Sequence, residues 1–401
     1  MGSDTAFALT LLVLGYAVIS GLVNRWYVAP GLIFVAAGML LGPSGLGVLE
    51  IDSDAETFTV LAQLALTVIL FNQAAQLDLG AVLRRGHASF RLIVVGIPLT
   101  ITLGAITALL VLPEMPVWEA VCLAAIVAPA EVALIDALLE DRRIPERVRH
   151  ALSVESGCYD GFALAALFAA LALASDRSGA DAGGWGWFLV RAELLSLLAG
   201  AVVGIAGGVL IVKSFRRGWI SDTWSQLATV AVALMCFEAG EMFHGSGFVA
   251  AFAGGLGSAV VAQRTGAKVP QQVSEATGHL LELLVFALFG AAVVISGWRD
   301  ASWRVVLFAV LMVFAIRVVS VWMALVRTDL PTRSRLFIGW FGPRGIGTLV
   351  LGLLVIHEGA IEQADLITQT VVVTVTLSLV VHSVTAPLGI RFVQRDRLAL
   401  H

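Results

Sequence analysis

Apolar residues along this chain do not alternate with polar ones. They run on in blocks of about 20 residues, separated by short polar connections, which is the length a helix needs to cross a bilayer. Continuous runs also argue against a closed barrel, whose strands alternate with a period of two. The pattern predicts helices at about 6–24, 30–47, 58–77, 92–112, 117–138, 147–174, 189–212, 224–242, 246–263, 277–297, 303–326, 334–356 and 366–388. Thirteen such segments predict an all-α polytopic membrane protein with a single membrane domain over 1–401. The short tail after the last segment predicts no cytoplasmic regulatory domain. Composition agrees, with 59% hydrophobic and only 13% charged residues, against about 25% charged in a soluble domain.

Charge sorts the connections into two kinds. Odd-numbered ones are basic, as with Arg84 and Arg85, Arg142 to Arg149, and Arg327 to Arg335. Even-numbered ones are acidic, as with Glu50 to Glu56, Glu114 and Glu119, and Glu358 to Asp365. Of the 25 basic residues, 19 fall on one side. The positive-inside rule then predicts a cytoplasmic C-terminus and an outer N-terminus. The opening MGSD is acidic and lacks the basic start of a cleavable signal peptide. With no organelle signal and a compact layout, a prokaryotic-type inner membrane is the expected location.

The segment order suggests two inverted-topology repeats, about 6–174 and 224–388, joined by a linker helix at about 189–212. Transporters place their sites at discontinuous helices in matching positions of such halves. The fifth segment carries APAEV (128–132) and the twelfth carries FGPRGIG (341–347). Each has a proline deep in an apolar run, where it removes a backbone hydrogen bond. Such a break is tolerated only where protein or a wet cavity surrounds it.

Five charged residues fall near segment centres: Glu131, Glu155, Asp160, Arg317 and Arg344. An ionised residue there costs about 2.5–3.5 kcal/mol on insertion scales, so these must pair, neutralise or meet water. In ESGCYDG (155–161), helical spacing puts Ser156 and Asp160 on one face and Glu155 with Tyr159 on another. A hydroxyl and a carboxylate can thus share a cavity, while Glu155 turns toward a neighbour. Arg317 and Arg344 are both available to it. Oxygen ligands suit hard cations, and a carboxylate that binds either a cation or a proton suffices for exchange. No nucleotide-binding glycine loop or other cofactor motif is evident, and nothing suggests a nucleic-acid partner.

At these residues the chain resembles the monovalent cation:proton antiporter family, of the sodium/proton exchanger type. ESGCYDG is similar to the family's Glu-Ser-x-x-Asn-Asp-Gly, and FGPRGIG to its Gly-Pro-Arg-Gly. GSGFVAAFAGGL (245–256) and RIPERVR (143–149) are also similar to family segments, with LFNQAAQLDL a fainter match. The resemblance implies a homodimer in the bilayer, with a dimerisation part and a mobile core that moves as an elevator. It implies exchange of Na⁺ or K⁺ for H⁺. Asp160 becomes the carboxylate carrying cation and proton, with Ser156 beside it, and Glu155 the structural acid paired with Arg317. Arg344 would lie where the broken twelfth helix crosses the fifth.

Two departures stand out. The family's Thr-Asp-Pro in the fifth helix is replaced by Ala130, Glu131 and Val132, with the proline at Pro129 instead. Tyr159 replaces the asparagine before the essential aspartate. Tyrosine is neutral at physiological pH, which leaves one carboxylate in that pair and points to electroneutral exchange. The same departures raise a rival, a transport-inactive relative acting as a signalling or toxic effector, or an ion leak. An intramembrane enzyme is disfavoured, because Ser156 has no histidine base at helical spacing. Cys122, Cys158 and Cys236 are isolated and read as core residues. His382 lies deep in its segment and reads as a hydrogen-bonded core histidine. Gly204, Gly207 and Gly208, and Gly254, Gly255 and Gly257, predict close helix packing.

Overall fold

The computed structural model describes residues 3–49, 56–77, 87–131, 138, 141–175, 185–266, 272–357 and 361–398. Among them there are helices and turns and no strands. The helices are α1 (Ser3–Arg25), α2 (Pro30–Leu41), α3 (Glu56–Gln76), α4 (87–111), α5 (Val117–Val127), α6 (Glu146–Ser175) and α7 (Trp185–Arg216). There follow α8 (Asp222–Glu241), α9 (Gly247–Thr265), α10 (272–300), α11 (303–325), α12 (Thr332–Trp340), α13 (Ile346–His357) and α14 (Ala364–Leu398). Eight of the helices are long and apolar enough to cross a membrane.

Where boundaries differ from the expected ones, backbone chemistry explains it. The second helix stops at Leu41 instead of running to 47, because Gly42 turns extended and Pro43 follows. The chain then folds back, and the amides of Leu46, Val48 and Leu49 take the orphaned carbonyls of Leu40 and Leu41. Single π-helical turns interrupt α4 at Leu92–Gly96, α10 at Gly290–Val294 and α11 at Met312–Ile316. Such turns are frequent at functional sites, and the last one ends directly before Arg317.

The chain divides into two compact units. The first comprises Met1–Ala62, Gly86–Ser156 and Glu282–His401. Its core includes Leu92, Leu152, Val321, Phe337, Phe341 and Ile390, all buried. At one end, Tyr27 follows α1 with φ at 57°, a left-handed conformation unusual for a tyrosine. Its hydroxyl donates to Asp141 (2.7 Å) and accepts from Arg143 (2.6 Å), which itself grips Asp141 at 2.7 Å. Hydrogen bonding from Arg143 holds the Asp141 carboxyl down at about 2. A depressed carboxyl stabilises the fold above its ordinary range and loses that contribution as pH falls through its folded value.

The second unit comprises Gln63–Arg85 and Gly157–Leu281. Here α7, α8 and α9 pack through small residues. A Cβ on Gly200 would collide with the Ala250 backbone, and one on Gly204 with the Gly254 backbone. Side chains then reach the exposed glycine carbonyls: Ser258 donates to Gly204 at 2.9 Å and Ser196 to Gly240 at 3.1 Å. Close approach of backbones is how helices associate where lipid removes the hydrophobic drive.

Two outcomes follow from this packing. Gly204→Leu should lower the thermal midpoint of the detergent-solubilised protein, at a cost of about 1–3 kcal/mol. Gly15→Ala, where no atom lies within 4 Å of the added Cβ, should leave that midpoint unchanged. Asp141→Asn should cost no more than about 1 kcal/mol at neutral pH, because Arg143 is half-exposed and screened. That difference should shrink as the pH of the melt is lowered from about 4 toward 2, which a pH series of thermal melts would reveal.

Candidate functional site

Helix α5 runs to Val127, and Pro129 then withholds the amide that would continue it. Residues 128–131 are non-helical and buried. In the same unit α12 ends at Trp340, residues 341–345 are non-helical, and α13 resumes at Ile346. Pro343 is the residue at the middle of that gap. The two breaks meet. The Glu131 amide donates to the Pro343 carbonyl at 2.9 Å. The Arg344 guanidinium donates to the carbonyl of Pro129 at 2.8 Å and also to that of Ala128. An unsatisfied backbone group in a membrane interior costs several kcal/mol, so each break supplies what the other lacks.

The glycines of FGPRGIG have a specific reason. A Cβ on Gly342 would occupy the place of the Arg317 guanidinium, and one on Gly345 the place of the Glu131 carboxylate. The motif is therefore a pair of notches, one filled by Arg317 of α11 and the other by Glu131 of the non-helical loop after α5.

Glu155 and Arg317 form an ion pair, with Nη1 3.1 Å from Oε1 and Nη2 donating to Oε2 at 3.3 Å. Both are essentially buried, at 2% and 1% exposure. Of the two arginines available to Glu155, the ion pair is with Arg317, while Arg344 serves the α5 break. Such fork geometry fixes direction as well as charge.

Other candidates are placed as follows. Ser156 and Ala130 are buried in the first unit. Tyr159 is buried at 1% exposure and belongs to the second unit. Asp160 lies on α6 four residues after Ser156, and its side chain falls outside the described residues. The structure thus brings together Pro129, Glu131 and Arg344, and separately Glu155 with Arg317.

Several residues were not anticipated as part of this arrangement. Glu119, expected only as an acid marking one side of the membrane, is buried. Its carboxylate accepts from the amides of Glu362 (2.8 Å) and Gln363 (3.1 Å), capping the start of α14. On α14, Ser378 accepts from the Arg344 amide at 2.9 Å. His382 Nε2 lies 2.7 Å from the Trp340 carbonyl and must donate to it. Its Nδ1 stands 3.1 Å from the Ser378 hydroxyl and 2.7 Å from the Ser378 carbonyl. For Ser378 and His382 the sequence signal was a spacing of four along one helix, and His382 is the hydrogen-bonded core histidine that its depth in the segment predicts.

With this geometry in hand, similarity to known proteins is decisive. A family model described as "Sodium/hydrogen exchanger, transmembrane" matches residues 9–390. The chain belongs to the sodium/hydrogen exchanger family. That is a family of membrane transporters and not of enzymes.

Relatives of this exchanger include the K(+)/H(+) antiporter NhaP of Alkalimonas amylolytica, 26% identical over 369 residues, covering 87% of this chain and 60% of that protein. A probable Na(+)/H(+) antiporter of Schizosaccharomyces pombe is 25% identical over 391 residues, covering 88% and 51%. The exchanger chain thus spans little more than half the length of these relatives. Among solved structures, the sodium proton antiporter MjNhaP1 from Methanocaldococcus jannaschii at pH 8 superposes with a TM-score of 0.75 at 18% identity. That alignment covers 97% of both chains, and it establishes a shared fold.

The ion pair generates a test. Arg317→Ala should cost about 3–5 kcal/mol by leaving Glu155 buried without its partner. Replacing both members, as Glu155→Leu with Arg317→Met, should recover more than half of that loss in thermal melts of the purified exchanger.

Proposed function

We propose that this exchanger is a secondary antiporter that trades Na⁺ or K⁺ for H⁺, electroneutrally, by an elevator-type alternation of access. The observation that carries the reading is the crossing of two helix breaks that hold Glu131 and Arg344, in a chain of exchanger sequence. Thirteen crossings in two inverted repeats complete the proposed architecture. What supports that count is that α12 and α13 flank one gap and act as halves of one broken crossing. A prokaryotic inner membrane is the proposed location, and the basic connections support an outer N-terminus and a cytoplasmic C-terminus. A homodimer follows from the family resemblance.

In this mechanism Asp160 carries the cation or the proton, with Ser156 as a neighbouring oxygen. Glu155 is committed to Arg317 through both of its oxygens, so it does not compete for the ion. Glu131 stands in for the shorter acid common in the family, its carboxylate lodged in the Gly345 notch. Tyr159 contributes no charge beside Asp160. One carboxylate then binds either one monovalent cation or one proton, and each trip moves the same net charge. An empty, charged site would be expensive to carry through the membrane interior, which couples the two fluxes. What supports a two-part movement is the division of the chain into two compact units, the charged breaks lying within the first. The relatives named above are antiporters by name, which lends the effector and leak readings no support.

The test is proton flux in sealed proteoliposomes under imposed gradients of Na⁺, K⁺ and Li⁺ in turn. Flux is expected with Na⁺ or K⁺, insensitive to a clamped membrane potential and abolished by Asp160→Asn. Silence with all three cations, from protein shown to be folded, would overturn the assignment.

A further inference from the structure

We infer that a polar ladder on the last helix, Ser378, His382 and Thr385, positions the broken twelfth helix and through it the ion site. These residues stand at i, i+4 and i+7, so they share one face of α14. Each rung meets the break. Ser378 Oγ takes the Arg344 amide at 2.9 Å, and His382 Nε2 gives to the Trp340 carbonyl at 2.7 Å. Thr385 Oγ1 accepts from the Trp340 indole at 2.9 Å while donating to its own helix at Val381. The rungs are linked, since the Ser378 hydroxyl lies 3.1 Å from His382 Nδ1. Nδ1 also stands 2.7 Å from the Ser378 carbonyl, so both ring nitrogens face backbone carbonyls and the imidazole ties Ser378 to Trp340.

The two backbone groups that the ladder holds are ones that the break releases. Trp340 ends α12 and Arg344 follows a proline just before α13, so both groups lie outside the helical ladders; besides His382, the Trp340 carbonyl takes the Gly342 amide at 3.0 Å. Four residues along α14 rise about 6 Å. Ser378 and His382 therefore act as a ruler laid across the gap from 340 to 344. The surroundings are dry and packed: Ser378 is 0% and His382 5% exposed. Gly389 leaves a hollow for the Phe341 ring, and His382 stands against Phe341 with ring centroids 6.1 Å apart.

Position then passes from α14 to α5. The Arg344 backbone is set by Ser378, and its guanidinium holds the carbonyls of Ala128 and Pro129. The neighbouring Pro343 carbonyl takes the Glu131 amide. Ser378 and His382 are thus positioning residues that touch no ion. They fix the frame against which the loop at 128–131 and the Glu131 carboxylate are held. Other buried hydroxyls of α14 do not share this role. Thr370, for example, donates only to the Leu366 carbonyl of its own helix, at 2.7 Å.

The experiment compares Ser378→Ala and His382→Leu with the conservative Ser378→Thr and His382→Gln, and with Thr370→Val as a buried control. The transport readout rests on the antiporter reading; amide hydrogen exchange over residues 341–346 does not, so failure of either idea is distinguishable. Losing one rung should speed exchange in this segment by about tenfold, the value of one net hydrogen bond. It should raise the cation KM by about three- to tenfold with kcat little changed. The conservative variants should restore both properties, and Thr370→Val should alter neither. Two results would overturn the proposal: unchanged exchange over 341–346 in Ser378→Ala and His382→Leu, or a lowered melting temperature with KM unmoved. If the parent protein transports no cation, the antiporter reading fails and hydrogen exchange alone decides on the ladder.

Discussion

The constraint on which this structure depends is that backbone amides and carbonyls cannot be left unpaired inside a bilayer. Helical runs stop at Val127 and Trp340, each followed within three residues by a proline, and each stop frees groups that water would normally satisfy. Here they are satisfied by each other and by side chains: Glu131 N–H on Pro343, Arg344 on Ala128 and Pro129, and α14 on both ends of the 341–345 gap. The breaks persist because the partners are fixed, and the partners are fixed because the breaks need them.

Buried charge is handled by the same logic of complete satisfaction. Glu155 and Arg317 use both oxygens and both terminal nitrogens on one another, and the Arg317 head fills the notch left by Gly342. Such a pair contributes little net stability, because desolvation offsets most of its attraction. Its value is directional: it anchors α6 to α11 beside the segment that carries Ser156. Removing one member is far worse than removing both, which is the mark of a positional device.

The two units solve different problems with the same residue type. In the second unit, Gly200 and Gly204 let α7 and α9 approach backbone to backbone. In the first, Gly342, Gly345 and Gly389 make room for an arginine head, a carboxylate and an aromatic ring. The former is helix packing, while the latter shapes a site. Sequence alone offers no way to tell these uses apart, because a glycine is read by what fills its missing side chain.

Much was legible from the chain alone. An all-helical membrane chain followed from the apolar run lengths, whereas a helix as short as the 12 residues of α2 or as long as the 35 of α14 did not. The two breaks were signalled by Pro129 and Pro343, whose missing amides weaken a helix, although α14 continues through Pro387. Central charges flagged Glu131, Glu155, Arg317 and Arg344, because isolated charge in hydrocarbon is too costly to be incidental. Pairing was another matter. That Glu155 takes Arg317 while Arg344 takes the α5 carbonyls, that Glu119 caps α14, and that Ser378, His382 and Thr385 grip residues 340–344 were decided only by the tertiary structure. The physical reason is that helical periodicity fixes which side chains share a face, whereas hydrogen-bond partners depend on distances between helices far apart in sequence.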